Sequence, residues 1–311
     1  MLEFIMYHYV RDIKNSLFPN IKGLDIEQFK CQLSYFKKNY KIISLEDFYN
    51  KDFNVKDKNC ILTFDDGYSD HYDFVLDVLI KNNIKAAFFP PVDVINKKRL
   101  LDVNKIHVIL AGGKEKTILE RIKYHFKKRN TSQKKIDYYI KSIDTTDRYD
   151  NETTVLIKRL LQTKLDYKLR QQLCDDLLID FSDYTVDELK DVFYLTLNQL
   201  KEMKNLGMHI GSHGKSHFWF DSLTEAEQEH EIRESKKNLN IIYEYQPYLL
   251  SMCFPYGNYN NTTLKLLRKY NFKIGLTTVP KKFNYLKDNL LEIPRLDTND
   301  YPKSKLFIKE G

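Results

Sequence analysis

Short apolar runs that each end in polar residues, separated by segments with helical spacing, constrain this chain more than any other feature. Residues 2–10, 41–44, 60–64, 85–90, 207–212, 248–254, 272–278 and 289–296 have the β-branched and aromatic character of buried strands. Between them, residues 25–40 place Phe29, Leu33 and Phe36 on one helical face, and a helix is expected over about 72–82 with Ser69 or Asp70 as its cap. Further helices are expected from Thr224 onward and over 262–270; Thr224-Glu225-Ala226-Glu227 fits the capping box that satisfies two orphan amides. Strands alternating with helices predict a mainly parallel sheet, because parallel neighbours need crossover connections. Runs that stop at Asp65, His213, Tyr256 and Asp297 put polar residues at strand ends, as on a barrel whose C-terminal rim carries the site. The beat lapses over about 97–206, a mostly helical stretch rich in Lys, Asp and Leu. It reads as a helical insertion on one domain spanning 1–311.

Charge and cysteine usage narrow the function classes. Against 43 Asp+Glu the chain has 50 Lys+Arg, a modest excess of +7 spread along its length. Residues 123–129, Lys-Tyr-His-Phe-Lys-Lys-Arg, could touch nucleic acid or anionic lipid, but an exposed helix face explains them equally well. No reader motif accompanies the charge, so no nucleic acid partner is expected. Cys31, Cys60, Cys174 and Cys253 are scattered without CxxC pairing and read as buried free thiols. The first ten residues have no basic segment leading into a long apolar run, and no stretch approaches the roughly 20 apolar residues of a membrane span. A cytoplasmic protein is the expectation, with a membrane-surface location as the alternative.

Three segments carry chemistry. Thr63-Phe64-Asp65-Asp66-Gly67-Tyr68 sets two adjacent carboxylates at a strand end beside a Gly that permits a tight turn; such a pair is costly unless something cationic sits between them. A polar turn with an Asp cap is the plainer reading of this segment alone. His213-Gly214-Lys215-Ser216-His217 follows an apolar strand and spaces two imidazoles so that, if the chain turns helically there, both rings grip one metal. With one carboxylate, two histidines leave coordination positions open for water and substrate. In Cys253-Phe254-Pro255-Tyr256-Gly257, a strand breaks and exposes backbone amides and an aromatic ring.

In this order the three segments resemble the polysaccharide deacetylases of carbohydrate esterase family 4, over about residues 1–96 and 207–300. The resemblance implies an α/β fold, a distorted (β/α) barrel of about seven strands. It implies a hydrolase acting on carbon–nitrogen bonds, a carbohydrate substrate bearing N-acetyl groups, and a place in cell-surface glycan biosynthesis. Asp65 would be the general base, and Asp66, His213 and His217 the ligands of one divalent metal, most often zinc. The backbone N–H of Tyr256 would help hold the developing oxyanion. The sequence departs from the pattern in three places. Cys253 stands where Arg is usual, no Asp–Trp motif appears around 275–278, and no Leu-x-His lies near the end, His230 being the last histidine.

Met6-Tyr7-His8-Tyr9 is similar to the N-terminal Tyr-His motif of the poly-N-acetylglucosamine deacetylase branch, which implies His8 as the general acid. Arg295 is the candidate to replace the missing Arg in orienting Asp65. Tyr7, Tyr68, Tyr256 and Trp219 are candidates for stacking on sugar faces, although packing is the commoner fate of such rings. An O-acetyl or formamido-sugar hydrolase, a non-catalytic glycan-binding barrel, and a basic protein working at nucleic acid or membrane surfaces remain the alternatives.

Overall fold

A computed structural model describes residues 2–304. The chain divides into two compact units, one of residues 1–12, 23–98 and 192–311, the other of 13–22 and 99–191. Met1 and residues 305–311, the ends of the expected 1–311 domain, lie outside the described residues.

The first unit holds the strands β1 Leu2–Tyr7, β2 Val10–Arg11, β3 Leu24–Asp25, β4 Lys41–Ile42, β5 Asn59–Asp65, β6 Ala87–Phe89, β7 His209–Ile210, β8 Ser251–Cys253, β9 Ile274–Leu276 and β10 Leu296–Asp297. Every pair among them is parallel. The main sheet has the order β10-β1-β5-β6-β7, with β4 against β5, while β2–β3 and β8–β9 form separate pairs. Every residue of β1 and β5 is buried, as expected of parallel strands covered on both faces. Single bridges continue the pattern: Ser212 pairs with Met252, and Leu276 with Ile293.

Period-two alternation decides what each strand offers. Leu2, Phe4, Ile61, Ala87, Phe89, Cys253, Ile274, Leu276 and Ile293 meet in one apolar cluster, so β8 and β9 contribute to the same core as β1, β5 and β6. Thr63 and Asp65 follow Ile61 on its face of β5. The opposite face, with Tyr7, Phe64 and Phe88 stacked in succession, packs against Phe29 of the helix Ile26–Asn39.

Several expected elements are shorter or different. The run 2–10 breaks at His8 and Tyr9. The helix expected over 72–82 opens as a π-helical turn, His71–Leu76, before Asp77–Lys81. Asp70 does not cap it; its carboxylate accepts from Arg11 Nε at 2.8 Å instead. The helix Glu225–Ile242 does begin with the Thr224–Glu227 capping box.

The second unit is helical. Its helices include Asp102–Gly112, Glu115–Lys128, Gln133–Lys141 and Tyr167–Phe181. Residues 13–22 group with 99–191 in this unit, and the helix Leu197–Asn205 groups with the first unit, beside the 97–206 expected for the insertion. That helix packs on Glu225–Ile242, which draws it to the sheet's side of the division. Within residues 123–129, His125 and Phe126 are buried and His125 pairs with Asp180, leaving the lysines on the outer face. All four cysteines are free and buried, and no helix among the described residues is long and apolar enough to cross a membrane.

Candidate active site

The Asp-Asp-Gly segment works by changing conformation within one step. Asp65 is the last residue of β5, whereas Asp66 and Gly67 both take left-handed backbone angles, φ 70° and 68°. Only glycine fits at 67, because a Cβ there would stand 2.6 Å from Pro90 Cβ. The reversal sends the two carboxylates in different directions, each to its own partners.

Asp65 is met by Arg295, which is fully buried. Arg295 Nη1 donates to Oδ1 at 2.9 Å and Nη2 to Oδ2 at 2.7 Å. Its other donors go to Thr63 Oγ1, the Thr277 carbonyl and Cys253 Sγ, so all five guanidinium N–H groups have acceptors. Burial alone would raise the Asp65 carboxyl, but Arg295 outweighs it and draws the pKa down to about 2. Cys253, standing where the deacetylase pattern has Arg, lies against the guanidinium that arrives 42 residues later.

Asp66 faces the two histidines. Tyr68 Oη donates to its Oδ2 at 2.7 Å. Its Oδ1 is buried without a hydrogen-bond partner, yet His213 Nε2 and His217 Nε2 approach it at 3.3 and 3.2 Å. His213 Nδ1 lies 2.7 Å from the Cys253 carbonyl, which can only accept, so Nδ1 carries a proton and Nε2 is the nitrogen turned toward Asp66, free to take a proton or a metal. Lone pairs converging from a carboxylate and an imidazole need a cation between them. A proton or a divalent metal meets that need, and the three residues fit the latter: their ligating atoms all lie within 4.8 Å of one another. Burial opposes charge on His213, but Cys253, Asp66 and Asp65 outweigh it and hold its pKa well above the ordinary value.

The histidines do not converge through a helical turn. Residues 213–217 form a loop with Gly214 at φ 74° and His217 at φ 59°, and it is this left-handed path that sets the rings 4.8 Å apart. Tyr256 also has a left-handed backbone, φ 59°, between Pro255 and Gly257. Its ring stacks on Trp219 at 4.6 Å and meets His217 edge-on at 4.6 Å.

His8 follows β1 and brings Nε2 to 3.9 Å from Asp65 Oδ2, with its side chain 42% exposed. Of the rings considered for sugar stacking, Tyr7 and Tyr68 are fully buried and so cannot meet a ligand. His71 is not among the residues the sequence singles out. It is buried, and its Nε2 donates to the His8 carbonyl at 2.9 Å. Burial lowers its pKa to about 4, keeping the ring neutral. With Asp70 holding Arg11, two adjacent residues at the start of the π-helical turn grip both ends of the segment 8–11.

The sequence pattern of the polysaccharide deacetylase family matches residues 53–115 and 183–275, half of the chain and all three motif segments. The chain belongs to the polysaccharide deacetylase family. YxkH of Bacillus subtilis (strain 168), named for the polysaccharide deacetylases, is 37% identical over 87 residues, a match spanning 28% of this chain and 30% of that protein. The fold of this family member is similar to that of Streptococcus pyogenes deacetylase PplD, solved in complex with acetate (TM-score 0.57, 19% identity, 95% of this chain and 91% of that one). It is also similar to IcaB from Ammonifex degensii (TM-score 0.55, 15% identity, 96% and 91%).

Proposed function

We propose that this protein is a metal-dependent hydrolase that removes N-acetyl groups from an amino-sugar-containing polysaccharide, oligosaccharide or glycan precursor. The observation that carries the reading is Asp66 Oδ1, buried without a hydrogen bond and faced by Nε2 of two histidines, beside an arginine-clamped Asp65. Asp66, His213 and His217 would hold one divalent ion, with zinc suited to two imidazoles and a carboxylate. When bound, the ion supplies Lewis acidity toward an acetamide carbonyl and a water molecule.

The chain's own groups then divide the remaining work. Asp65, ionised and fixed by Arg295, takes the proton of the attacking water. The Tyr256 N–H helps stabilise the oxyanion, a donor contribution worth about 3 kcal/mol in comparable sites. The amine cannot depart as an anion, so a proton donor is required at the leaving side. His8, partly exposed and 3.9 Å from Asp65, is the candidate. Trp219 and Tyr256, stacked beside the histidines, offer ring faces to a sugar. In the same reading the bridges at Ser212–Met252 and Leu276–Ile293 close the sheet into a distorted barrel within one domain, supported by the core that β8 and β9 share with β1, β5 and β6.

Acetate release from a panel of N-acetylated saccharides, with and without chelator, tests the proposal. Chelator-sensitive release that leaves a free amine is the expected result. Formate, or a free hydroxyl in place of an amine, would redirect it to a formamido-sugar or O-acetyl substrate, and metal binding without any turnover would make the protein a glycan-binding relative.

A further inference from the structure

We propose that Glu231 is the positioning residue of the 213–217 loop and sets the affinity of the metal site without touching the metal; this rests on the reading of Asp66, His213 and His217 as ligands. The loop has no helix or strand of its own, and two of its residues take left-handed backbone angles, one of them a histidine. Such a path persists only where the surroundings determine it. Gly214 brings no side chain, so the restraint has to come from outside.

Backbone hydrogen bonds show where it comes from. The start of the short helix Val92–Ile95, just after β6, holds the outgoing carbonyls: Val92 N–H donates to Gly214 O at 3.2 Å and Asp93 N–H to Lys215 O at 2.8 Å. Two consecutive amides, Lys215 N–H and Ser216 N–H, point the other way and donate to one oxygen, Glu231 Oε2, both at 2.8 Å. Asp93 adds side-chain bonds, accepting from Ser216 Oγ at 2.9 Å and Lys215 Nζ at 3.2 Å.

Glu231 is 3% exposed, on the inner face of the helix Glu225–Ile242 together with Gln228, Ile232 and Ser235. A carboxylate is costly to bury unless it is hydrogen-bonded, and charge-assisted bonds to amides are the stronger kind. Its Oε2 takes both amides of the loop between the histidines. A Cβ at 214 would stand 3.4 Å from Glu231 Oε2, so the carboxylate also closes over the position glycine leaves open. The long helix thereby fixes the spacing of His213 and His217, groups that hold ligands in place being commonly worth about 10–100-fold in metal affinity.

The test is zinc affinity of the full chain by competition with a chromophoric chelator, with hydrogen exchange at Lys215 and Ser216 measured on the metal-free protein. Glu231→Ala should bind zinc about 10–100-fold more weakly, with faster exchange at both amides. Glu231→Gln, which keeps an acceptor oxygen in place, should stay near wild type in both measurements. Unchanged affinity in Glu231→Ala overturns the proposal, as does equal loss in the Ala and Gln variants, since charge alone would then be acting. If Glu231→Ala does not fold, Glu231→Asp, too short to reach both amides, takes its place with the same expectation. His213→Ala separates the two readings. If wild type binds zinc and His213→Ala does not, an unaffected Glu231→Ala removes only the role of Glu231. If wild type binds no zinc, both fall.

Discussion

Replacing Arg295 with methionine should be among the most damaging single changes available in this protein. The side chain is fully buried, and all five of its N–H donors are engaged, two of them by Asp65. Methionine fills much of the volume but leaves the Asp65 carboxylate, 1% exposed, with no cationic partner in its plane. Breaking a buried pair by removing one partner costs about 3–5 kcal/mol, because the remaining charge stays desolvated. The Asp65 pKa, now about 2 against an ordinary 3.8, would rise, since burial raises it once Arg295 is gone. In wild type the lowered value contributes stability that is fully present above about pH 4 and is lost as the pH falls toward 2, worth about 2 kcal/mol. In Arg295→Met the sign reverses, and the penalty seen at pH 7 should shrink as acid protonates Asp65. Urea unfolding of the metal-free proteins at pH 7 and pH 4.5 measures this, with Asp65→Asn and the double variant completing a cycle. Adding Asp65→Asn to Arg295→Met should recover most of the loss at pH 7. A penalty under about 1 kcal/mol, or a double variant no better than Arg295→Met, would refute the reasoning.

Other changes probe the rest of the site. His8→Ala should lower kcat on an N-acetylated saccharide by about 10²–10⁴-fold with metal content intact. An aryl acetate ester, whose leaving group needs less protonation, should be spared; equal damage to both substrates would make His8 a structural residue. His71 has its pKa lowered to about 4 by burial, so its neutral ring favours the fold above the ordinary 6.5 and that advantage is lost as pH falls from 6.5 toward 4. His71→Gln should therefore flatten the fall in stability between pH 7 and pH 4.5, read by the same urea unfolding. Gly67→Ala, forced to φ 68° with its methyl 2.6 Å from Pro90, should destabilise the fold by about 1–3 kcal/mol and weaken metal binding, measured by unfolding and zinc titration.

Much of this was legible in the sequence where chemistry and periodicity coincide. The alternation of strand and helix gave a parallel sheet, and the Thr224–Glu227 pattern located the start of a long helix. Asp65, Asp66, His213 and His217 could be singled out because their residue types and spacing are expensive without a purpose. What stayed hidden depends on long-range contacts and backbone sign. Arg295 could be named as the candidate partner of Asp65 from the gap at Cys253, but the contact itself joins residues 230 positions apart and had no sequence signal of its own. The 213–217 loop looked helical because four-residue spacing suits a helix, whereas two left-handed residues achieve the same convergence. His71 went unnoticed because its partner is the carbonyl of His8, and a backbone acceptor leaves no mark on sequence. Residues 13–22 group with the helical unit, but such a short, irregular stretch has no periodicity to connect it on sequence.

The central claim is that two adjacent carboxylates do different work, Asp65 on a proton and Asp66 on a metal. Bound metal and acetate release, measured side by side on Asp65→Asn and Asp66→Asn, test it most directly. The account expects Asp65→Asn to keep its metal while losing most turnover, and Asp66→Asn to lose metal and turnover together. Near-normal kcat in Asp65→Asn, or undiminished metal in Asp66→Asn, would contradict it.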